Sequence, residues 1–161
     1  MAVRAGAEFE ELYPGGSRSA TECAMNLVRA GDLIVGRIAD VLRRFDLTPA
    51  GGLVLSILAD ADAPLPPHEI GERLIVTRAT VTGLVDSLER RGYVRRTAHP
   101  DDGRMLLVEL TPKGRRVAYR FRPVVHERER VWFDDLSEND RATLLRLLGR
   151  IQEHFASLPP E

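Results

Sequence analysis

A mainly α-helical fold with one small β-wing is what this sequence predicts, and three observations carry the prediction. Residues 67–92 read PHEIGERL, a short break at Ile75 and Val76, then TRATVTGLVDSLERRG, which is a short helix, a tight turn and a longer helix. The run YVRRTAHPDDGRMLLVEL follows, two strand-like segments around a charged Asp-Gly loop. On both sides of this block, apolar residues recur at helical spacing over long stretches. The order describes a winged helix-turn-helix with N- and C-terminal helices available for dimerisation.

Each element has its own sequence signal. Residues 1–19 end in PGGSRS and are expected to form a flexible N-terminal arm or a short helix. From Ala20 to Phe45 the spacing of Leu27, Ala30, Ile34, Ile38, Val41 or Leu42, and Phe45 predicts one long amphipathic helix. Thr48-Pro49 supplies an N-cap and a proline at the first helical position. ADAPLPP is a loop in which Leu65 can make a minimal strand against the wing. The second helix of the helix-turn-helix runs from Thr77 to Arg91, with Gly92 as its left-handed C-cap and Val81, Leu84, Val85 and Leu88 facing the core. Thr111-Pro112 repeats the cap-plus-proline start. The helix it opens carries Val117, Phe121, Val124, Val125 and Val131 or Trp132, with a kink expected at Pro123. Ser137, with Asp140 three residues on, starts a last helix containing Leu144, Leu145, Leu148, Ile151 and Phe155. That stripe outlasts any partner within one small domain. Residues 20–46 and 112–158 are therefore assigned to a helical dimerisation region, and residues 47–111 to the DNA-binding domain.

Composition narrows the class. The chain of 161 residues suits one domain with a dimerisation extension. Cys23 is the only cysteine, so no intrachain disulfide can form, and the composition suits a reducing cytosol. The N-terminus lacks the apolar core of a signal peptide, and the apolar runs fall far short of the ~20 residues that span a bilayer. A soluble, cytoplasmic protein without a membrane partner is expected. The net charge of -1 conceals a segregated distribution. Residues 71–116 hold ten basic and six acidic residues, while the remainder holds 13 basic and 18 acidic. A basic segment inside an acidic body suggests one face made for a polyanion.

Within that segment the chemistry concentrates at two places. Arg78, Ala79, Thr80, Thr82 and Gly83 lie near the start of the longer helix, away from its apolar stripe. The first turn of a recognition helix reaches base edges, where Arg holds guanine bidentately and Thr bonds a base or packs on the thymine methyl. Thr77 is read as the cap. The wing tip is HPDDGR: Gly103 permits the turn, and Arg104 is placed to enter a narrow minor groove. Asp102 is close enough to orient its guanidinium. The plainer alternative is an ordinary Asp-Gly hairpin with a solvated arginine. Arg95, Arg96 and Arg115 flank the wing as phosphate contacts.

The run from Leu47-Thr48-Pro49 to Lys113-Gly114 resembles the MarR family of winged-helix transcriptional regulators. The matching pieces are LTP at 47–49, ATVTGLVDSLERRGYVRR at 79–96, PDDGR at 100–104 and VELTPKG at 108–114. The resemblance implies an obligate homodimer on a pseudo-palindromic operator in double-stranded DNA, acting as a ligand-responsive repressor. It implies that Asp102 and Arg104 are the wing acid and minor-groove arginine, and that Thr77, Arg78, Thr80 and Thr82 form the recognition-helix face. Gly103 stands where the family usually has a basic residue, which removes one phosphate contact.

Cys23 lies roughly where a peroxide-sensing branch of the family keeps its reactive thiol, so a redox regulator is one alternative. Its neighbours Ala24, Met25 and Leu27 are apolar and Glu22 is acidic, which favours a structural cysteine. His68, His99, His126 and His154 lack close metal-ligand spacing. No Ser-His-Asp order, paired-carboxylate motif or phosphate-binding loop occurs, so neither an enzyme nor a cofactor is expected. Tyr119, His126 and Trp132 are candidates to line a pocket for a small aromatic effector, with interface packing the alternative for Trp132. A winged-helix protein-interaction module that binds no DNA is the remaining reading.

Overall fold

The computed structural model describes residues 1–74, 76–100, 102 and 104–159. Ile75, Asp101 and Gly103 are outside the described residues, and with them the expected break at Ile75 and the turn role of Gly103. In chain order the elements are α1 (Phe9–Leu12), α2 (Arg18–Leu42), a 3-10 turn (Arg43–Phe45), α3 (Pro49–Ala59), α4 (Pro67–Leu74), α5 (Arg78–Arg90), β1 (Val94–Ala98), β2 (Leu106–Leu110), α6 (Pro112–Trp132) and α7 (Glu138–Ser157). The chain is a winged helix-turn-helix, mainly α with a two-stranded wing. It divides into two units, Met1–Arg122 and Pro123–Glu161, and α6 crosses the boundary at Pro123.

The first unit holds the core. Val54, Leu55, Ile70, Val81, Val85, Val94 and Val108 are almost fully buried, so α3, α4, α5 and the wing share one apolar centre. Leu84, expected in that stripe, is only half-buried. The helix starts obey capping chemistry. Thr48 and Thr77 accept the N–H groups of Gly51 and Thr80, and Pro49 occupies the first turn of α3. The long first helix stops short of Phe45. A 3-10 turn replaces its last residues, and Asp46 ends it at φ 57°, a left-handed conformation that Asp tolerates better than most residues. Arg91 holds Asp46 there by bonding its carbonyl and, at 2.5 Å, its carboxylate.

Residues 1–19, expected as a flexible arm or a short helix, contain α1, and their start is tied to α2. Val3 and Asn26 exchange two hydrogen bonds of 2.8 and 2.9 Å, and Glu22 accepts the Ala5 N–H at 3.0 Å. That bond, with the Arg4 and Arg18 guanidiniums outweighing partial desolvation, holds the Glu22 carboxyl below its usual range. Cys23, read as a packing residue, is exposed on the same helix.

The wing is antiparallel, pairing Val94 with Leu110 through Ala98 with Leu106. Leu65 adds the expected single-residue third strand, exchanging hydrogen bonds of 3.0 and 2.7 Å with Val108. At the wing base, α5 ends in a Schellman turn: Gly92 takes φ 68°, its N–H bonds the Glu89 carbonyl, and the Tyr93 N–H bonds that of Leu88. Thr111 closes the other side. Its N–H and hydroxyl reach the Tyr93 carbonyl at 3.0 and 3.2 Å, the hydroxyl lies 2.7 Å from the Gly92 carbonyl, and it accepts the Gly114 N–H at 3.0 Å. Gly114 has no room for a side chain, because a Cβ would overlap the Tyr93 carbonyl oxygen and lie 2.8 Å from its carbon.

In the second unit, α7 starts with a capping box in which Ser137 and Asp140 bond each other's N–H groups. The Ser137 hydroxyl, then its backbone N–H, holds the Asp140 carboxyl below its usual range. No residue of α7 is buried, and Leu145 and Phe155 are 71% and 67% exposed. On α6 the choice between Val131 and Trp132 falls to Trp132, half-buried while Val131 is exposed. Among the described residues no helix is long and apolar enough to cross a membrane.

The Gly114 junction yields a stability prediction. Gly114→Ala should lower the unfolding free energy by about 1–3 kcal/mol, since the clash is with backbone. Gly83→Ala, in open space within α5, should raise it by roughly 0.5–1 kcal/mol through helix propensity. Denaturant unfolding of both variants checks the pair; an unchanged midpoint for Gly114→Ala would show that the junction can open.

Candidate nucleic-acid interface

A cleft of ≈ 550 Å³ runs between α4, α5 and the wing, lined among others by His68, Arg78, Thr82, Arg96, Asp102 and Arg104. Five of the residues singled out from sequence therefore meet at one place. α5 supplies Arg78 and Thr82 from its first turns, the wing tip supplies Asp102 and Arg104, and β1 supplies Arg96. His68, next to Pro66 and Pro67 at the start of α4, is weighed in the sequence only as a metal ligand; its position on the first turn of the leading helix was the available signal for its place in this cleft.

The first turn of α5 divides its labour. Thr77 is spent on the cap, with its oxygen 3.0 Å from that of Thr80. The Thr82 hydroxyl donates to the Arg78 carbonyl at 3.0 Å, which leaves its lone pairs for an outside donor. Arg78 and Thr80 are exposed. At the wing tip the Asp102 carboxylate accepts the backbone N–H of Arg104 at 3.0 Å, and its carbonyl accepts the Met105 N–H at 2.9 Å. Sequence had Asp102 orienting the Arg104 guanidinium. In the structure the bond is to the backbone, so the acid shapes the turn on which the arginine stands.

The flanking arginines are not equivalent. Arg95 and Arg96 are consecutive in β1 and project to opposite faces. Arg95 pairs at 2.9 Å with Glu109, its cross-strand partner, and stays 63% exposed. Arg96 is only 22% exposed and bonds two acids of α5, Asp86 at 2.5 Å and Glu89. Burial disfavours its charge, but the hydrogen bonds and fields of Asp86 and Glu89 outweigh that and raise its pKa. Sequence grouped Arg96 with the phosphate contacts and overlooked both acids; the legible sign was a pair three apart on an otherwise basic helix, seven residues before an arginine. Arg115 is exposed in the first turn of α6.

The residues considered for an effector all lie on α6. Tyr119 is 66% exposed. His126 is exposed and pairs with Glu129 at 2.9 Å. Trp132 is half-buried, and six residues of helix turn it about 120° away from His126.

This arrangement defines a class: a helix-turn-helix and wing whose shared cleft gathers arginines and a threonine hydroxyl. Comparison with known proteins agrees. The model of the MarR family matches residues 45–105. The chain is 34% identical over 104 residues to the HTH-type transcriptional repressor YetL of Bacillus subtilis, a match covering 64% of this chain and 62% of that repressor. It is 32% identical over 124 residues to the HTH-type transcriptional regulator SarZ of Staphylococcus saprophyticus, covering 76% of this chain and 82% of SarZ. The solved structure of Bordetella bronchiseptica BpsR, whose DNA binding is regulated by 6-hydroxynicotinic acid, superposes with a TM-score of 0.73 at 25% identity, covering 81% of this chain and 98% of that one. The chain belongs to the MarR family of transcriptional regulators.

Two substitutions separate the roles at the cleft. Arg104→Ala should weaken operator binding by about 1–3 kcal/mol, comparable with a mismatched base pair, in a protein that unfolds like the parent. Arg78→Ala should instead change the preferred base at one position of each half-site. Titration at fixed salt tests the first and binding-site selection the second; the parental sequence logo in Arg78→Ala would remove that residue from base recognition.

Proposed function

We propose that this protein acts in the cytoplasm as a homodimer that binds a pseudo-palindromic operator in double-stranded DNA. It represses transcription there until a small aromatic effector releases it. The observation that carries the reading is the convergence of Arg78, Thr82 and Arg104 on one cleft between the recognition helix and the wing. In this reading α5 enters the major groove with Arg78 and Thr80 at base edges. Arg104 enters the adjacent minor groove, and Arg95 and Arg115 supply phosphate charge. Thr77 and Asp102 act on the protein side, one capping the helix and the other shaping the turn.

Support for the dimer comes from surface that one chain leaves open. On α2, Leu27, Val28, Leu33 and Val35 are 43%, 65%, 63% and 53% exposed, and α7 exposes Leu144, Leu145, Leu147, Ile151 and Phe155. Each of these faces, taken by itself, supports an interface at that helix. A two-fold partner covering them would set two recognition helices roughly 34 Å apart, one helical turn of DNA. Support for repression comes from YetL, and for an aromatic effector from BpsR. An effector shifts the population toward a DNA-incompetent spacing only by its differential affinity for the two states. Of the candidate groups in the second unit, the exposed His126, paired with Glu129, is the one open to such an effector on α6.

The test is retention and sequencing of genomic fragments at two salt concentrations. Specific fragments should be enriched, with affinity falling steeply as salt rises. Absence of any enriched sequence would favour a winged-helix module without DNA. For the dimer, deletion of residues 137–161 should abolish operator binding although every proposed DNA contact remains, and should yield monomer or aggregate in sedimentation. A truncated protein that stays dimeric with parental affinity would place the interface elsewhere.

A further inference from the structure

The recognition helix carries two acids, Asp86 and Glu89, on the side that packs toward β1. On a helix that approaches phosphates, uncompensated carboxylates repel the ligand. Both are taken up by one residue. The Arg96 guanidinium reaches Asp86 Oδ1 with Nη2 at 2.5 Å and Glu89 Oε2 with Nη1, while the Arg96 backbone N–H donates to Glu89 Oε1 at 3.1 Å. Glu89 therefore uses one oxygen on the strand backbone and the other on the side chain. A planar fork can serve two carboxylates at once, whereas an ammonium cannot reproduce that geometry.

We infer that Arg96 is a positioning residue that locks the wing to the recognition helix, and that it does not hold DNA phosphate. Five residue pairs and one single-residue bridge make the wing, and a hairpin that small does not hold a fixed orientation unaided. The clamp lies partway along β1, and Arg96 lines the same cleft as Arg78 and Arg104. Fixing β1 against α5 thus fixes the separation between the major-groove and minor-groove arginines. The inference rests on the proposed DNA-binding reading.

The sign of a charge change distinguishes the two roles of Arg96. The double variant Asp86→Asn with Glu89→Gln removes two negative charges from the DNA-facing helix. If Arg96 were a phosphate contact held back by these acids, the variant would bind DNA more tightly. The clamp requires weaker binding, by about ten-fold, the scale of one lost positioning contact. Arg96→Gln should lose affinity similarly without changing the slope of log affinity against log salt, and Arg96→Lys should not restore it; a phosphate contact would flatten that slope by about one. Hydrogen exchange on the DNA-free protein reads the clamp independently. Amides of β1 and β2 should exchange about ten-fold faster in Arg96→Gln, with α3 unchanged. Tighter or unchanged binding by the double variant, a flattened slope, rescue by lysine, parental protection of the wing, or loss of the whole fold in Arg96→Gln would each overturn the assignment. If the parent retains no DNA at all, the functional reading fails, while the exchange experiment still decides whether the clamp exists.

Discussion

Three elements meet at the carbonyl of Tyr93. The recognition helix ends one turn before it, the first wing strand begins immediately after it, and Thr111 bonds it from the start of α6. Gly114 lies against the same peptide with no space for a side chain. The Lys113 ammonium covers the Tyr93 ring at 4.9 Å and donates to the Arg91 carbonyl at 2.7 Å. The junction closes the wing at its base and gives α6 a fixed origin. It accounts physically for the run LTPKG. Threonine supplies a hydroxyl that both donates and accepts, proline suits a first helical turn, and glycine permits backbone contact. The junction sets where the wing starts relative to α5, and the Arg96 bonds to Asp86 and Glu89 hold the two together farther along β1.

Much of this was legible in the sequence because it is local. The caps at Thr48, Thr77 and Ser137 and the left-handed Gly92 follow from residue chemistry within a few positions; the Leu65 bridge to Val108 is a long-range contact that the sequence pattern also anticipated. What could not be read was long-range or depended on competing partners. Arg96 looks like its neighbour Arg95, yet strand alternation turns one toward α5 and the other toward Glu109. The Asp102 side chain could have served guanidinium or backbone with equal plausibility. The end of α2 falls earlier than the apolar spacing predicts because the Asp46–Arg91 tie spans 45 residues. Cys23 reads as structural because its neighbours are apolar, yet Met25, Leu27 and Val28 beside it are exposed as it is.

The electrostatics are more economical than the net charge suggests. Basic residues of the DNA-binding segment are sorted by their partners. Arg91 and Arg96 are committed to acids within the fold, Arg95 is shared with Glu109, and Arg78 and Arg104 stand in the cleft. Exposed ion pairs contribute little to stability. Their value here is geometric, because each one restricts where a guanidinium can be. A basic surface built without such commitments would bind any polyanion; one in which some arginines are held inside the fold offers charge at fewer, better defined points.

The Glu89 carboxylate also settles a different problem. Among the described residues β1 pairs only with β2, so its far edge is an unpaired strand edge, a template on which a strand from another molecule could grow. Glu89 occupies the Arg96 N–H, a donor such a strand would need. The paired arginines and the five-residue length make the rest of that edge short and charged. Sheet extension is thereby blunted along the open edge of β1. The apolar residues exposed on α2 and α7 can then stay open without the wings joining through their edges.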